Sequence, residues 1–173
     1  MHIENAIAAL RADMDSLARA TGLSAKLSRR QGAEQVTVAR AESPRPIAPA
    51  SPVGARFPVV LGASGACLLS VLEDAAVESL MRDADERSLW DHDAETDLRR
   101  RIAACRADGL CENIGRHPQG IDTMSALLTS PAGPFALTLV GLRGDFDEKN
   151  RDRCRRLLLD IAQRKQPLME DAS

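Results

Sequence analysis

The sequence predicts an α+β domain built as an antiparallel sheet with helices packed on it. Three observations carry this expectation: apolar residues at helical spacing near both ends of the chain, strand-like stretches that turn back through short glycine-containing links, and helical patterns set between those hairpins. A chain of 173 residues can bury one sizeable core, and its length favours one domain.

Ile3, Ile7, Leu10, Met14 and Leu17 recur at spacings of three and four, the stripe of an amphipathic helix that Thr21-Gly22 ends. Leu23, Ala25 and Leu27 then alternate with Ser24, Lys26 and Ser28, which predicts a half-buried strand. A turn at Gln31-Gly32 leads into Val36-Thr37-Val38-Ala39 and completes a hairpin. Five prolines from Pro44 to Pro58 exclude a helix or central strand there, so a long surface connection is expected, of the kind that often borders a site.

Small and apolar residues from Ala63 to Leu72 predict a buried helix, and Asp74 opens another carrying Val77, Leu80 and Met81. The acidic stretch Asp91 to Asp97 suits the positive end of a helix that places Leu98, Ile102 and Cys105 on one face and stops at Gly109. Leu110 to Ile114 reads as a short strand, and Gly115-Arg116-His117-Pro118-Gln119-Gly120 as a loop. Ile121 to Thr129 and Phe135 to Leu142 form a second hairpin through Ser130-Pro131-Ala132-Gly133. Asp147 to Lys165 closes the chain as a helix with Cys154, Leu157, Leu158 and Ile161 inward.

Composition excludes several functions. Lys and Arg total 23 against 25 Asp and Glu, so there is no net positive field to neutralise phosphates. One tryptophan, three phenylalanines and no tyrosine leave no stacking platform for single-stranded nucleic acid. The apolar runs fall far short of the ~20 residues of a membrane span, and no signal peptide opens the chain, so a cytoplasmic protein with no membrane partner is expected. Cys67, Cys105, Cys111 and Cys154 show no CxxC spacing and suit reduced thiols. Cys105, Cys111 and His117 stand six apart, but structural zinc sites draw ligands in close pairs, so neither a metal site nor a cofactor is expected.

Two constellations point to ligand binding. At Gly62-Ala63-Ser64-Gly65, small side chains at a helix start let an anion reach backbone amides, although close packing of helix on sheet needs the same residues. Thr123, Ser125 and Thr138 line one face of neighbouring strands, which fits either a pocket with a few orienting hydroxyls or a solvated face. Asp122 falls on the opposite face, toward water or a turn. The basic stretches Arg99-Arg100-Arg101 and Arg151 to Arg156 read as solvated helix faces with local ion pairs. No nucleophile, base and orienting group stand together, so no catalytic residue is assigned; Cys111 with His117 nearby is the one arrangement an enzyme or redox sensor would use.

Several stretches together resemble the effector-binding domain of the IclR family of bacterial transcription regulators. Arg56-Phe57-Pro58-Val59-Val60-Leu61-Gly62-Ala63-Ser64-Gly65-Ala66-Cys67-Leu68-Leu69-Ser70-Val71-Leu72 is similar to the family run in which Leu-Pro-Leu-His leads to Gly-Lys-Ala-Leu-Leu-Ala, with Gly65 matching the glycine. Gly109-Leu110-Cys111-Glu112-Asn113 stands where the family has Gly-Tyr-Ala-x-Asp, followed by Gly120 at the family distance. Phe135 to Gly141 resembles the final Ala-Leu-Ser-Leu-Ser-Gly strand, and Thr21-Gly22-Leu23 the early Thr-Gly.

The resemblance implies a GAF-like antiparallel sheet flanked by helices and a pocket for small carboxylic acids or aromatic metabolites. Carried over by position, Ala63, Ser64, Gly65, Asn113, Ile121, Thr123, Thr138 and Val140 are the implied ligand-binding residues, with Met124 in the wall or the core. Residues 1–20 would be a linker helix packed on an effector-binding domain at 21–173. It further implies a homo-oligomer, dimer or tetramer, and DNA contact only through a winged helix-turn-helix for which this chain supplies no recognition helix. A module used for dimerisation alone is the plainer alternative. Val60 replaces a frequent family His, Ala66 the Lys, Asn113 the acid, Arg116 a Glu and Leu127 the Pro. An inward Arg116 would make the loop more tolerant of an anion.

Overall fold

The computed structural model describes residues 3–84, 92–117 and 119–171. Asp91 and Pro118, assigned above to a helix approach and a loop, lie outside them. The apolar stripe of the first residues winds into α1 (Ile3–Thr21), which Gly22 ends at φ +73 while donating its amide to Ala18 O. Two hairpin strands follow, β1 (Ser24–Gln31) and β2 (Glu34–Ala41). The proline-rich connection contains an edge strand, β3 (Arg56–Pro58), tolerable there because proline's missing donor faces no further strand.

Next come α2 (Gly62–Ser70), α3 (Asp74–Arg82) and α4 (His92–Asp108). Gly109, at φ +72, stops α4. Then β4 (Leu110–Asn113), β5 (Ile121–Ser130) and β6 (Gly133–Leu142) complete the sheet, and α5 (Glu148–Asp171) closes the chain, running past the Lys165 end expected from its apolar spacing. The sheet order is β3-β2-β1-β6-β5-β4, with every neighbouring pair antiparallel. The α+β expectation is met.

Both faces of this sheet are covered. On one face α1 and α5 bury Leu10, Met14, Leu17, Cys154 and Leu158 against Leu23, Leu27, Met124, Leu128, Leu137 and Leu139. On the other, α2, α3 and α4 bury Val59, Ala63, Ala66, Leu68, Leu69, Val77, Leu98 and Ile102. Each fully buried Leu or Met contributes about 1.5–3 kcal/mol from removed apolar surface. The half-buried strand expected at β1 is therefore corrected. Ser24, Lys26 and Ser28 are buried like the apolar residues they alternate with, Lys26 the least of them, because α2 covers the face assigned to solvent.

A further correction concerns charge. Arg151 and Arg155 both pair with Glu112, Arg155 at 3.0 Å, so this part of the basic stretch fastens α5 to β4 instead of forming a solvated face. Of the two surroundings expected for Asp122, water or a turn, the structure gives the turn: the side chain is buried and accepts the Gly115 amide at 2.9 Å. Among the described residues no helix is long and apolar enough to cross a membrane.

Gly65 sets how closely α2 approaches the strand edge. A Cβ at this position would lie 2.1 Å from Val59 O, a backbone atom that cannot swing aside. Gly65→Ala should therefore destabilise the domain by about 1–3 kcal/mol, the usual cost of overpacking. Urea unfolding of the two proteins checks this; equal midpoints would mean that α2 sits more loosely.

Candidate functional site

Three strand residues in register begin the site. Asn113 on β4 pairs with Thr123 on β5, and Thr123 with Val140 on β6, so their side chains form one row on the face that α2 covers. One residue pair deeper runs a second row, Cys111, Ser125, Thr138 and Lys26. Along the first row the sheet, the start of α2 and the front of α4 leave a cavity of about 560 Å³. Val60, Leu61, Gly62 and Ser64 wall it from α2 and its approach, while Ala94, Asp97 and Arg101 wall it from α4 at spacings of three and four. Pro49, Ala50 and Ser51 of the proline-rich connection close another side, with Arg116, His117 and Ile121 at the mouth loop.

The polar groups of this wall have an unbalanced inventory. Lys26 is only 9% exposed, stacks at 5.1 Å over the Phe57 ring, and has no ion pair among the described residues. Burial pushes its pKa down to about 8. Arg101 donates to Asn113 Oδ1 at 3.2 Å, but its Nε is buried without a hydrogen-bond partner among the described residues. Burial pulls its pKa below the usual guanidinium value, with Asp97 acting on it only from beyond ion-pair range. Thr123 Oγ1 is likewise buried and unpartnered. Asp97 itself is shared between Arg100 at 3.3 Å and Arg116 at 3.4 Å. The cavity thus holds two cations without carboxylates and at least two polar atoms without partners, each costly to leave unsatisfied. The N-cap of α2, Leu61, offers no side-chain cap, so that helix end adds a positive dipole to the same space.

This fold and cavity coincide with a family match. The family described as bacterial transcriptional regulator IclR C-terminal matches residues 1–165. The chain belongs to that IclR family. Solved structures agree in fold: an IclR-family transcriptional regulator from Rhodococcus sp. superposes with a TM-score of 0.79 at 24% identity, over 94% of this chain and 63% of that one. The effector domain of the transcriptional regulator IclR from Acinetobacter sp. ADP1 gives 0.78 at 22%, over 92% and 96%. The Thermotoga maritima IclR gives 0.76 at 15%, over 92% and 68%. The chain thus spans less than two thirds of the Rhodococcus regulator's length. No curated protein matches its sequence.

Within this IclR domain the residues singled out from sequence divide. Ser64, Asn113, Ile121, Thr123 and Val140 come together in the cavity wall. Ser64 Oγ already donates to Gln35 Oε1 at 2.5 Å. Ala63, Gly65 and Thr138 do not belong to that wall. Ala63 is enclosed in the core, Gly65 faces Val59 O, and Thr138 shares a 2.6 Å hydrogen bond with Ser125 one row deeper. The hydroxyl-lined strand face exists, but only Thr123 of the three lines the cavity. Arg116 lines the cavity too, with its charge met by Asp97 at 3.4 Å.

Lys26 and Arg101 were missed. Alternation in β1 puts Lys26 on the strand face that a half-buried strand turns to solvent. Arg101 was grouped with two arginine neighbours, although it stands three residues after Leu98 and four before Cys105, on the edge of the apolar face. That spacing was the available signal.

The buried lysine makes stability depend on pH with a definite sign. Below pH 8 both states hold the Lys26 proton and the native state bears the desolvation cost; between 8 and 10.5 the unfolded chain keeps a proton that the native state has lost. Native stability therefore gains from Lys26 across that window. Lys26→Met should be more stable than the parent at pH 7 by up to roughly 3 kcal/mol, and the gap should close as the pH approaches 10.5. Urea titrations at a series of pH values read this directly; a gap independent of pH would contradict a desolvated lysine.

Proposed function

We propose that the domain senses a small anionic metabolite, a carboxylic acid with or without an aromatic body, and passes cavity occupancy to the DNA-binding state of the intact regulator. The observation that carries this reading is the pair of uncompensated cations, Lys26 and Arg101, beside the unpartnered Thr123 Oγ1 in one cavity. A carboxylate there would meet Lys26 and the free Nε of Arg101, and would lift the desolvation cost both now carry. Val60, Ile121, Val140 and the Phe57 ring supply the apolar part of the wall, which suits a small organic body.

Residues 21–173 are the sensing unit in this reading, and the first twenty residues are the connection toward a winged helix-turn-helix. α1 packs against α5 and the sheet, which would carry a change in the domain to that connection. Occupancy shifts regulation only if the ligand prefers one arrangement of subunits over another, so a homo-oligomer is part of the proposal. The setting would be the cytoplasm, where the regulator meets both metabolite and DNA.

The reading as an enzyme finds less support. Cys111 Sγ is buried with Cys67 and Ala63 O as partners, whereas His117 sits on the mouth loop with Nδ1 accepting the Gln119 amide at 3.1 Å. A nucleophile and base of that pair would have to be in contact.

A thermal-shift screen against small mono- and dicarboxylic acids, with their uncharged amides as controls, tests the proposal. Acids should raise the melting temperature and amides should not. Arg101→Met and Thr123→Val should weaken the best acid, the former by about tenfold or more, as expected for a hydrogen bond to a charged group. Equal binding of acid and amide, or an unaltered affinity in Arg101→Met, would remove the anion reading. Sedimentation at several concentrations should show association; a concentration-independent monomer would remove the oligomer.

A further inference from the structure

Three of the four cysteines converge from separate elements: Cys67 on α2, Cys105 on α4 and Cys111 on β4. Their sulfurs all lie within 4.8 Å of one another, with Cys105 Sγ 3.0 Å and Cys111 Sγ 3.7 Å from Cys67 Sγ. The pairing considered from sequence, Cys105 and Cys111 with His117, is replaced: Cys67 joins them and His117 does not. All three are buried, and the other polar atoms they touch include two backbone carbonyls, Ser125 O at 3.4 Å from Cys67 and Ala63 O at 3.2 Å from Cys111. Among the described residues no imidazole or carboxylate completes the group.

Such a donor set is selective. Three soft sulfurs favour soft ions, and Zn2+ almost always takes four ligands in a structural site. Charge narrows the choice further. Three thiolates carry three negative charges into a pocket walled by Ala63, Ala66 and Leu98, where uncompensated charge is expensive. A monovalent or divalent ion would leave the complex anionic, whereas a trivalent one makes it neutral. A trivalent ion with a lone pair also needs no fourth ligand.

We propose that Cys67, Cys105 and Cys111 form a pyramidal trithiolate site for a trivalent thiophilic ion of the arsenic(III) class. Loading is a ligand exchange without electron transfer. Arsenious acid loses its three As–O bonds, each hydroxide departs as water with the proton of one thiol, and three As–S bonds form. The site lies one row of side chains beyond the cavity, since Cys111 and Ser125 immediately follow Asn113 and Thr123 on their strands' common face. A bound ion would tie together α2, α4 and β4, which also carry Ser64, Arg101 and Asn113 of the cavity wall. The proposal does not depend on the anion reading.

The test uses the full chain kept reduced with a phosphine and incubated with arsenite. Native mass spectrometry should show one arsenic per chain with all oxygen lost, and X-ray absorption should show three As–S bonds. Cys105→Ser and Cys111→Ser, each checked for native circular dichroism, should lose the three-sulfur signature; Cys154→Ser should keep it. The parent protein alone decides if a variant fails to fold. No adduct, an arsenic that retains oxygen, or a signature unchanged in Cys105→Ser would overturn the proposal. So would a Cys67–Cys105 disulfide formed by mild oxidant in a protein that takes no arsenite when reduced, which would make the cluster a redox pair.

Discussion

How closely α2 lies against the sheet is fixed at residue 65, and both the cavity and the cysteine cluster depend on that distance. Gly65 brings the helix against Val59 O, and Gln35 holds the same junction from below, donating Nε2 to Pro58 O at 2.9 Å and Leu61 O at 3.0 Å while accepting Ser64 Oγ. The start of the helix therefore hangs over the Asn113–Thr123–Val140 row, and its next turn drops Cys67 onto Cys105 and Cys111. A helix lifted by the width of a methyl group would open the cavity wall and separate the sulfurs. The small residues of this stretch thus serve packing first, and the cavity follows from the packing.

Covering both faces of the sheet creates the second constraint. Polar side chains on the α2 face lose water, and each must find a partner or carry a cost. Ser125 and Thr138 find one another, and Asn113 finds Arg101. Lys26 and the Nε of Arg101 do not. Holding Lys26 charged costs roughly 3 kcal/mol, of which stacking on Phe57 returns only part, about 0.5–2 kcal/mol. In the proposed reading a ligand carboxylate makes up that deficit.

Much of the architecture was legible because it rests on local rules. Glycines at 22 and 109 ended helices, alternation and turn residues marked both hairpins, and helical spacing picked the inward face of α5. What periodicity could not reveal was the second covered face. An alternating strand shows which residues avoid water, and says nothing about whether a helix lies over the others, so Lys26 looked solvated and Ser24 and Ser28 with it. Arg101 was hidden by its neighbours Arg99 and Arg100, which pair at the surface with Glu78, Glu95 and Asp97. Five of the implied site residues meet at the cavity, four carried there by strand register and Ser64 by the start of α2. Thr138 fell one row too deep, and Ala63 and Gly65 turned into the packing contact of the same helix. The convergence of Cys67 with Cys105 and Cys111 had no trace in linear spacing, since it joins residues 38 and 44 positions apart.

The central claim is that Lys26 is a buried cation awaiting an anion, and its ε-amino group reports on this directly. NMR titration of selectively labelled lysine should give Lys26 a pKa near 8 in the free domain, rising toward the ordinary value of 10.5 when a carboxylate that shifts the melting temperature is added to saturation. An ordinary pKa in the free protein, or a depressed one that the carboxylate leaves unchanged, would contradict the account.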